Sequence, residues 1–389
     1  MSSDKPSLRV RALFAALVVL AVVAAAEGMA RITYGIVDRA REGKPPAKGI
    51  YKPYEVLDPT RTNVWLPRAN YQLTLAEAIL LMKREGFVLA EQNLVEGARS
   101  LAVPPGEVIF RINADSYKGP DLDRAHTRPR VLAIGDSCTF GSLFDHYAWP
   151  RSAERTLATL GVQAEVVNAG VNGYAPIHAL ARLEEFRALD AAVAVINIGW
   201  NGLYDQQLVV DGPWRFLLAR FARGIYGTLE AQLRDPHDLA LEAYHRPKHP
   251  DPNAPALERL AHYEPSFLAD VAALARGLEQ DGTRVFVTTL PGLYQTDEPP
   301  SARALEIGHL PQYTDNPYVV ARLADGYNVA LRAQASAFGA AVIDLDAWSR
   351  AALRPRDDYF VDSVHLTAVG QEMVGAEIAR AIAPALGER

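Results

Sequence analysis

The sequence predicts an α/β fold built on a doubly wound, mainly five-stranded parallel sheet. Five apolar runs, each too short for a helix, alternate along the chain with segments of helical periodicity. The chain has 389 residues, of which 49% are apolar and 22% charged, so it can bury a large core. These observations favour one large α/β domain with additional segments before it.

The five predicted strands are short runs of mainly apolar residues. They lie at residues 131–135, 164–168, 191–198, 284–290 and 341–345. Such runs are typical of strands buried on both faces of a parallel sheet. Helices are predicted from the turn containing Pro150 to residue 160, at 176–186, 266–279 and 317–338, and after Thr367. This alternation is typical of a flavodoxin-like sheet with helices on both faces.

The amino terminus has the pattern of a membrane-targeting segment. An uncharged apolar run extends from Ala12 to Ala26. The charges that flank it are Lys5, Arg9 and Arg11 before the run and Glu27 and Arg31 after it. The pattern predicts a signal anchor or a signal peptide over residues 1–37, with the remainder outside the cytoplasmic membrane. We expect membrane anchoring, with secretion after cleavage near Ala24 and Ala26 as the alternative.

Three regions are expected along the chain. Residues 1–37 form the targeting segment, 38–128 a membrane-proximal extension and 129–389 the α/β domain. Within the extension, Gly43–Tyr54 is rich in glycine, proline and lysine and suits a tether, whereas Leu73–Gly86 has helical periodicity. Residues 202–263 interrupt the alternation with aromatic residues, proline and histidine, and we expect an α-rich insertion there.

Composition excludes several classes of function. The net charge of −6 and the pI near 5.9 give no basic surface for nucleic acid, so no nucleic-acid partner is expected. One cysteine, Cys138, excludes an internal disulfide and a cysteine-based metal cluster. No dinucleotide-binding or phosphate-binding glycine motif is present, so no cofactor is expected.

His245 and His249 have the spacing of a metal-binding pair, but Pro247 and Pro250 favour a loop, and no metal is expected.

Residues that suit nucleophilic catalysis follow the predicted strands. Ser137 follows the first strand, and Asp362 and His365 follow the last. A serine hydroxyl needs a base to take its proton, and the base needs an orienting partner; His365 and Asp362 can fill these roles. The backbone N–H groups of Ser137 and Gly173 and the Asn201 amide are candidate donors to an oxyanion.

These residues carry a resemblance to the SGNH/GDSL hydrolases. Ile134–Gly141 contains Gly-Asp-Ser and resembles the first block of the family, with Ser137 as nucleophile. Gly173 and Asn201 match the oxyanion residues of the second and third blocks, and Asp362 and His365 match the last block. The similarity covers about residues 129–386. The preceding segment Ile112–Pro120 resembles the lead-in of membrane-anchored bacterial members.

The resemblance implies a serine esterase that cleaves acyl or acetyl esters of small molecules, lipids or glycans without a cofactor. One alternative is an envelope polysaccharide O-acetyltransferase that uses the same three residues. A second is a non-catalytic glycan-binding module. Family members often have Gly-x-Asn-Asp in the third block, but Gly202 follows Asn201 here, so how Asn201 is held stays open.

Three further features of the sequence lie at or near these blocks. Asp136 beside the strand end favours a helix-capping role over a catalytic one. The Gly-Asp-Ser context favours Ser137 over Cys138 as the nucleophile. Aromatic residues in and beside the insertion either line an acyl or sugar cleft or form a small core, and these are Trp200, Tyr204, Trp214 and Tyr226.

Overall fold

The computed structural model describes residues 8–41, 52–85, 88–206 and 245–387. Between the last two ranges it describes residues 209, 210, 217, 218, 226, 233, 234 and 242. Most of the predicted insertion, most of the predicted tether and Lys5 of the basic flank therefore lie outside the described residues.

The chain begins with one long apolar helix, α1 (Leu8–Arg41). Within it, Ala12–Thr33 is long and apolar enough to cross a membrane, and its side chains are almost entirely exposed. These 22 residues span about 33 Å at 1.5 Å per residue, close to the thickness of a bilayer hydrocarbon core. A signal sequence near the amino terminus meets the same criteria of length and composition.

The extension contains two small antiparallel sheets and two helices. Its elements are β1 (Glu55–Leu57), β2 (Trp65–Pro67), β3 (Gln72–Thr74), α2 (Leu75–Glu85), α3 (Val88–Ser100) and β4 (Val108–Arg111). Strand β1 pairs with β2, and β3 pairs with β4. The predicted helix at 73–86 begins two residues later than expected, because Leu73 and Thr74 pair with β4.

The main sheet is parallel and five-stranded, as the sequence predicts. Its strands are β5 (Arg130–Gly135), β6 (Glu165–Gly170), β7 (Val193–Asn197), β8 (Arg284–Thr288) and β9 (Ala340–Ile343). Their order is β6-β5-β7-β8-β9, so the first strand in sequence lies inside the sheet and the chain winds outward on both sides. The carboxyl ends of β5, β6 and β7 consequently meet at one edge of the sheet.

Helices flank the sheet on both faces. They are α4 (Ser137–Phe140), α5 (Trp149–Thr159), α6 (Pro176–Leu180), α7 (Leu183–Arg187), α8 (Trp200–Tyr204), α9 (Pro255–Arg259), α10 (Leu268–Glu279), α11 (Ala302–Ile307), α12 (Pro317–Gln334), α13 (Leu345–Ala352) and α14 (Ala368–Gly387). The single helix predicted at 176–186 is two short helices. The break lies at Arg182, whose backbone leaves helical geometry while its guanidinium is buried against Phe186 and pairs with Glu185.

Alternate residues of the strands face two separate hydrophobic cores. Val131 and Ala133 of β5 face the core formed with α5 and α14. Leu132 and Ile134 face the larger core formed with α10 and α12. Because both faces are covered, most strand residues are apolar, which explains why the strands could be recognised in the sequence.

A buried ion pair links the start of the sheet to the extension. The Arg130 guanidinium donates to Glu165 Oε2 at 2.7 Å, to the Leu189 carbonyl at 2.7 Å and to the Asp123 carbonyl at 3.0 Å. Glu165 Oε1 accepts from the Asp123 backbone N–H at 2.6 Å. Arg130 therefore links β6, the loop that follows α7 and the end of the extension.

Replacing Arg130 tests this link. Arg130→Met leaves the Glu165 carboxylate buried without its cation, so we expect the free energy of unfolding to fall by about 3–5 kcal/mol. The matched control is Arg124→Met, because Arg124 pairs with Asp115 but is 71% exposed. We expect the control to cost less than about 1 kcal/mol. Urea unfolding measures both, and equal losses would contradict the prediction.

Candidate active site

The turn after β5 presents Ser137 at the carboxyl edge of the sheet. Ser137 is the first residue of α4, and Asp136 caps this helix by accepting from the Cys138 backbone N–H at 2.9 Å. The second carboxylate oxygen of Asp136 accepts from the Gly199 N–H at 3.4 Å, which ties the turn after β5 to the turn after β7. Asp136 thus has the capping role that the sequence favoured.

Ser137, His365 and Asp362 form a continuous hydrogen-bonded relay. Nε2 of His365 lies 2.7 Å from the Ser137 Oγ, although the residues are 228 positions apart. Nδ1 of His365 lies 2.7 Å from Asp362 Oδ2. Asp362 Oδ1 accepts from the backbone N–H groups of Val364 and His365 at 2.9 and 2.8 Å, which fixes the carboxylate in its loop. The three side chains can pass a proton from the hydroxyl to the imidazole.

The electrostatics of the relay favour an ionised carboxylate beside a basic imidazole. Burial would raise the pKa of Asp362, but His365 and the two backbone N–H groups lower it to about 2. Burial would likewise lower the pKa of His365, but the neighbouring Asp362 carboxylate raises it above its ordinary value. His365 is therefore a stronger base than a free histidine.

Gly173 and Asn201 line the same cleft as Ser137. Gly173 lies in the turn after β6 with φ of +78°, a backbone conformation that favours glycine. Asn201 lies in the first turn of α8, and its side-chain amide donates to the Tyr174 carbonyl at 3.1 Å. The structure thus brings the three residues that are predicted to supply oxyanion donors, Ser137, Gly173 and Asn201, to one cleft.

The residue after Asn201 is glycine for a packing reason. A Cβ at Gly202 would lie 2.8 Å from the Phe267 ring, so a larger residue at this position would require that ring to shift. An aspartate, which is common at this position in the family that the sequence resembles, would push against the Phe267 ring. Asn201 is instead held through the Tyr174 carbonyl, which answers the question that the sequence left open.

Cys138 and the aromatic residues Trp200, Tyr204 and Tyr226 are not among the residues that line the cleft. Burial raises the pKa of Cys138 well above its ordinary value, and its thiol donates to the Val364 carbonyl. Trp200 and Tyr204 pack in the larger hydrophobic core, Tyr226 is exposed, and Trp214 is outside the described residues. The alternatives left open for the aromatic residues are thus resolved toward core packing for the first two.

The two histidines with metal-pair spacing have separate environments. His249 lies in a loop and pairs with Asp315 at 2.9 Å, whereas His245 lines the cleft, which the sequence did not indicate. Across the described ranges, no group of three or more histidine, cysteine, aspartate or glutamate side chains is arranged to hold a metal ion.

The cleft has a volume of about 680 Å³, within the range of small-molecule sites. One wall comes from the extension and includes Met82, Ala90 and Leu94, which belong to the same hydrophobic cluster as Phe140 and Leu143 of the α/β domain. Charged and polar residues also line it, and these include Lys52, Gln92, Asn172, Arg303 and Glu306. The sequence did not indicate that the extension forms part of the cleft, because no short motif marks it.

Comparison with known proteins shows which family has this arrangement. Residues 133–373 match the family described as GDSL-like lipase/acylhydrolase. No curated protein matches the chain. One similar structure is a lipase/acylhydrolase from Enterococcus faecalis, at 18% identity, with 66% of this chain and 97% of that chain covered and a TM-score of 0.39.

A second similar structure is a catalytic mutant of an acetylxylan esterase from Geobacillus stearothermophilus, at 17% identity. The match covers 65% of this chain and 94% of that chain, with a TM-score of 0.41. The family match spans more than half of the chain, from β5 into α14, and it confirms the resemblance found in the sequence. The chain therefore belongs to the GDSL-like lipase/acylhydrolase family.

Proposed function

We propose that the protein is a serine ester hydrolase that acts through a covalent acyl-enzyme on Ser137. The relay from Ser137 through His365 to Asp362 carries this proposal, because each link is a 2.7 Å contact between groups of the required chemistry. Gly173 and Asn201 in the same cleft support it, since acyl transfer needs donors for the oxyanion.

The proposed reaction has two halves. The Ser137 Oγ attacks the ester carbonyl carbon while His365 Nε2 takes its proton, and the Ser137 and Gly173 N–H groups and the Asn201 amide stabilise the oxyanion. The carbon–oxygen bond to the alcohol then breaks, and His365 returns the proton to the leaving alcohol. Water attacks the acyl-enzyme with His365 as base, which releases the acid and restores the Ser137 hydroxyl.

We further propose that α1 anchors the enzyme, with the α/β domain outside the cytoplasmic membrane. The basic residues before the apolar run and the 22-residue apolar stretch support this topology. Substrates in this compartment include acyl and acetyl esters of lipids, glycans and small molecules.

Covalent labelling tests the nucleophile. A serine-reactive phosphonate is expected to label the wild-type protein, and Ser137→Ala is expected to abolish labelling and lower ester hydrolysis by about 10⁴-fold or more. Cys138→Ser is the control, because it removes the adjacent thiol and leaves the Ser137 hydroxyl. Intact-mass spectrometry measures the adduct. Labelling that survives in Ser137→Ala, or none in folded wild-type protein, would contradict the proposal.

The pH dependence tests the pairing of His365 with Asp362. The neutral imidazole is the base, so activity should fall with decreasing pH through the pKa of His365, which the Asp362 carboxylate raises above the ordinary value for histidine. Asp362→Asn removes the carboxylate that raises the pKa of His365, while burial still lowers that pKa. The pKa of His365 should therefore fall, and the acidic limb of the pH profile should move to lower pH.

The expected loss in kcat for Asp362→Asn is about 10⁴-fold. The pH profile of kcat/KM on an activated acetate ester measures the acidic limb, and NMR titration of the His365 ring measures the pKa directly. An acidic limb that stays in place or moves upward in Asp362→Asn would count against this pairing.

A bulky residue on the extension wall tests whether substrate occupies the cleft there. Ala90 lines the cleft from α3 and is half-buried, whereas Glu96 is exposed on the same helix and is not part of the lining. Ala90→Trp is expected to lower kcat/KM for methyl octanoate relative to methyl acetate by about tenfold or more. Glu96→Trp should leave this ratio unchanged. If the ratio of kcat/KM for the two esters were the same in Ala90→Trp and Glu96→Trp, the acyl chain would not lie against the extension wall of the cleft.

A further inference from the structure

The segment Ile112–Pro120 of the extension adds to the edge of the main sheet. Ile112 and Lys118 form an antiparallel bridge with each other, and Lys118 forms a second one with Asn168 of the edge strand β6. The Lys118 backbone N–H donates to the Asn168 carbonyl at 3.1 Å. The family resemblance and the proposed reaction leave this segment without a role, although its backbone is fixed to the sheet beside Ser137.

The Lys118 side chain continues from this bridge to the turn that bears Ser137. Lys118 is only 3% exposed, and its Nζ donates to the Phe140 carbonyl at 2.8 Å and also to the Ser142 carbonyl. The ammonium lies 4.7 Å from the centroid of the Phe140 ring and 3.6 Å from Asp145 Oδ1. The one lysine thus binds carbonyls on both sides of Gly141.

The Phe140 carbonyl is at the carboxyl end of the helical turn that begins at Ser137, and the Ser142 carbonyl lies two residues beyond it. The last carbonyls of a helix have no partner within the helix and need donors from outside it. Asn168 donates a second, longer hydrogen bond to the Phe140 carbonyl at 3.3 Å. Lys118 and Asn168 together hold the carboxyl end of α4, while Asp136 caps its amino end.

Burying an ammonium group so that it donates hydrogen bonds to two carbonyls carries a large desolvation cost. Removing a charge from water is unfavourable, and burial lowers the pKa of Lys118 while Asp145 opposes this shift. Neutral donors satisfy carbonyls at lower cost, as the Asn168 amide does for Phe140 in the same place. The positive charge makes each of these hydrogen bonds stronger, so the backbone on both sides of Gly141 is restrained more firmly than a neutral donor would restrain it.

We propose that Lys118 is a positioning residue that fixes the Ser137 hydroxyl and N–H in their reactive geometry. The inference rests on the proposed function, in which Ser137 is the nucleophile. It assigns a part of the extension to the reaction, since Lys118 lies before the α/β domain. A displacement of about 1 Å at a reacting group costs roughly 100-fold in rate, so loosening this turn should slow attack by Ser137.

The rate of phosphonate labelling, corrected for the folded fraction, tests the proposal. Lys118→Met in the full chain is expected to slow labelling by about tenfold or more. The matched control is Tyr117→Phe, which removes the adjacent buried hydroxyl and its 2.6 Å bond to Glu185. This control should lower stability and leave the labelling rate of folded protein within about twofold of wild type. A wild-type rate in folded Lys118→Met would overturn the proposal.

A second variant decides the question if Lys118→Met does not fold. Lys118→Gln keeps an uncharged N–H donor but lacks the ammonium that binds both carbonyls, and we expect labelling to slow by about threefold or more. Unchanged labelling in Lys118→Gln would then overturn the proposal. If folded wild-type protein is not labelled, the proposed function fails; if wild type and the Lys118 variants are labelled equally, only the role of Lys118 fails.

Discussion

The site depends on the close approach of the Ser137 turn to the two strands beside it. A Cβ at Gly135 would lie 2.2 Å from the Asn197 carbonyl oxygen, and one at Gly170 would lie 2.3 Å from the Phe140 nitrogen. Real Cβ atoms do not come so close to backbone atoms, so both positions require glycine. Because the backbones meet directly, the turns after β6 and β7 reach the same cleft as the Ser137 hydroxyl.

The extension is part of this arrangement and more than a spacer. The Trp65 indole N–H donates to the Asn172 carbonyl at 3.0 Å, and the Asn172 amide donates to the Tyr54 hydroxyl and to Glu55 at 3.2 Å each. These contacts hold the turn that contains Gly173, while the Ile112–Pro120 segment holds the turn that contains Ser137. Two turns of the α/β domain are therefore supported by residues that precede it in sequence.

The sequence predicted the main sheet closely because its strands are buried on both faces and so appear as apolar runs. The sequence did not predict the strands of the extension. A strand of three residues, such as Glu55–Leu57, is too short to show the alternation of apolar and polar residues that marks a strand. The spacing of Asp362 and His365 pointed to the relay. The contact between Gly202 and Phe267 had no local signal, because it depends on how α8 packs against a residue 65 positions later.

Two buried carboxylates near His365 have opposite electrostatic environments, and this difference separates their roles. Burial raises the pKa of Asp136, and its oxygens face backbone N–H groups of the turns after β5 and β7. Asp362 instead contacts the imidazole, which helps to lower its pKa to about 2. Only Asp362 is in contact with the imidazole that would become positively charged in the proposed reaction. Asp136 joins the turn that carries Ser137 to the turn that leads to Asn201, so it holds these two turns together while its carboxylate also helps to raise the pKa of His365.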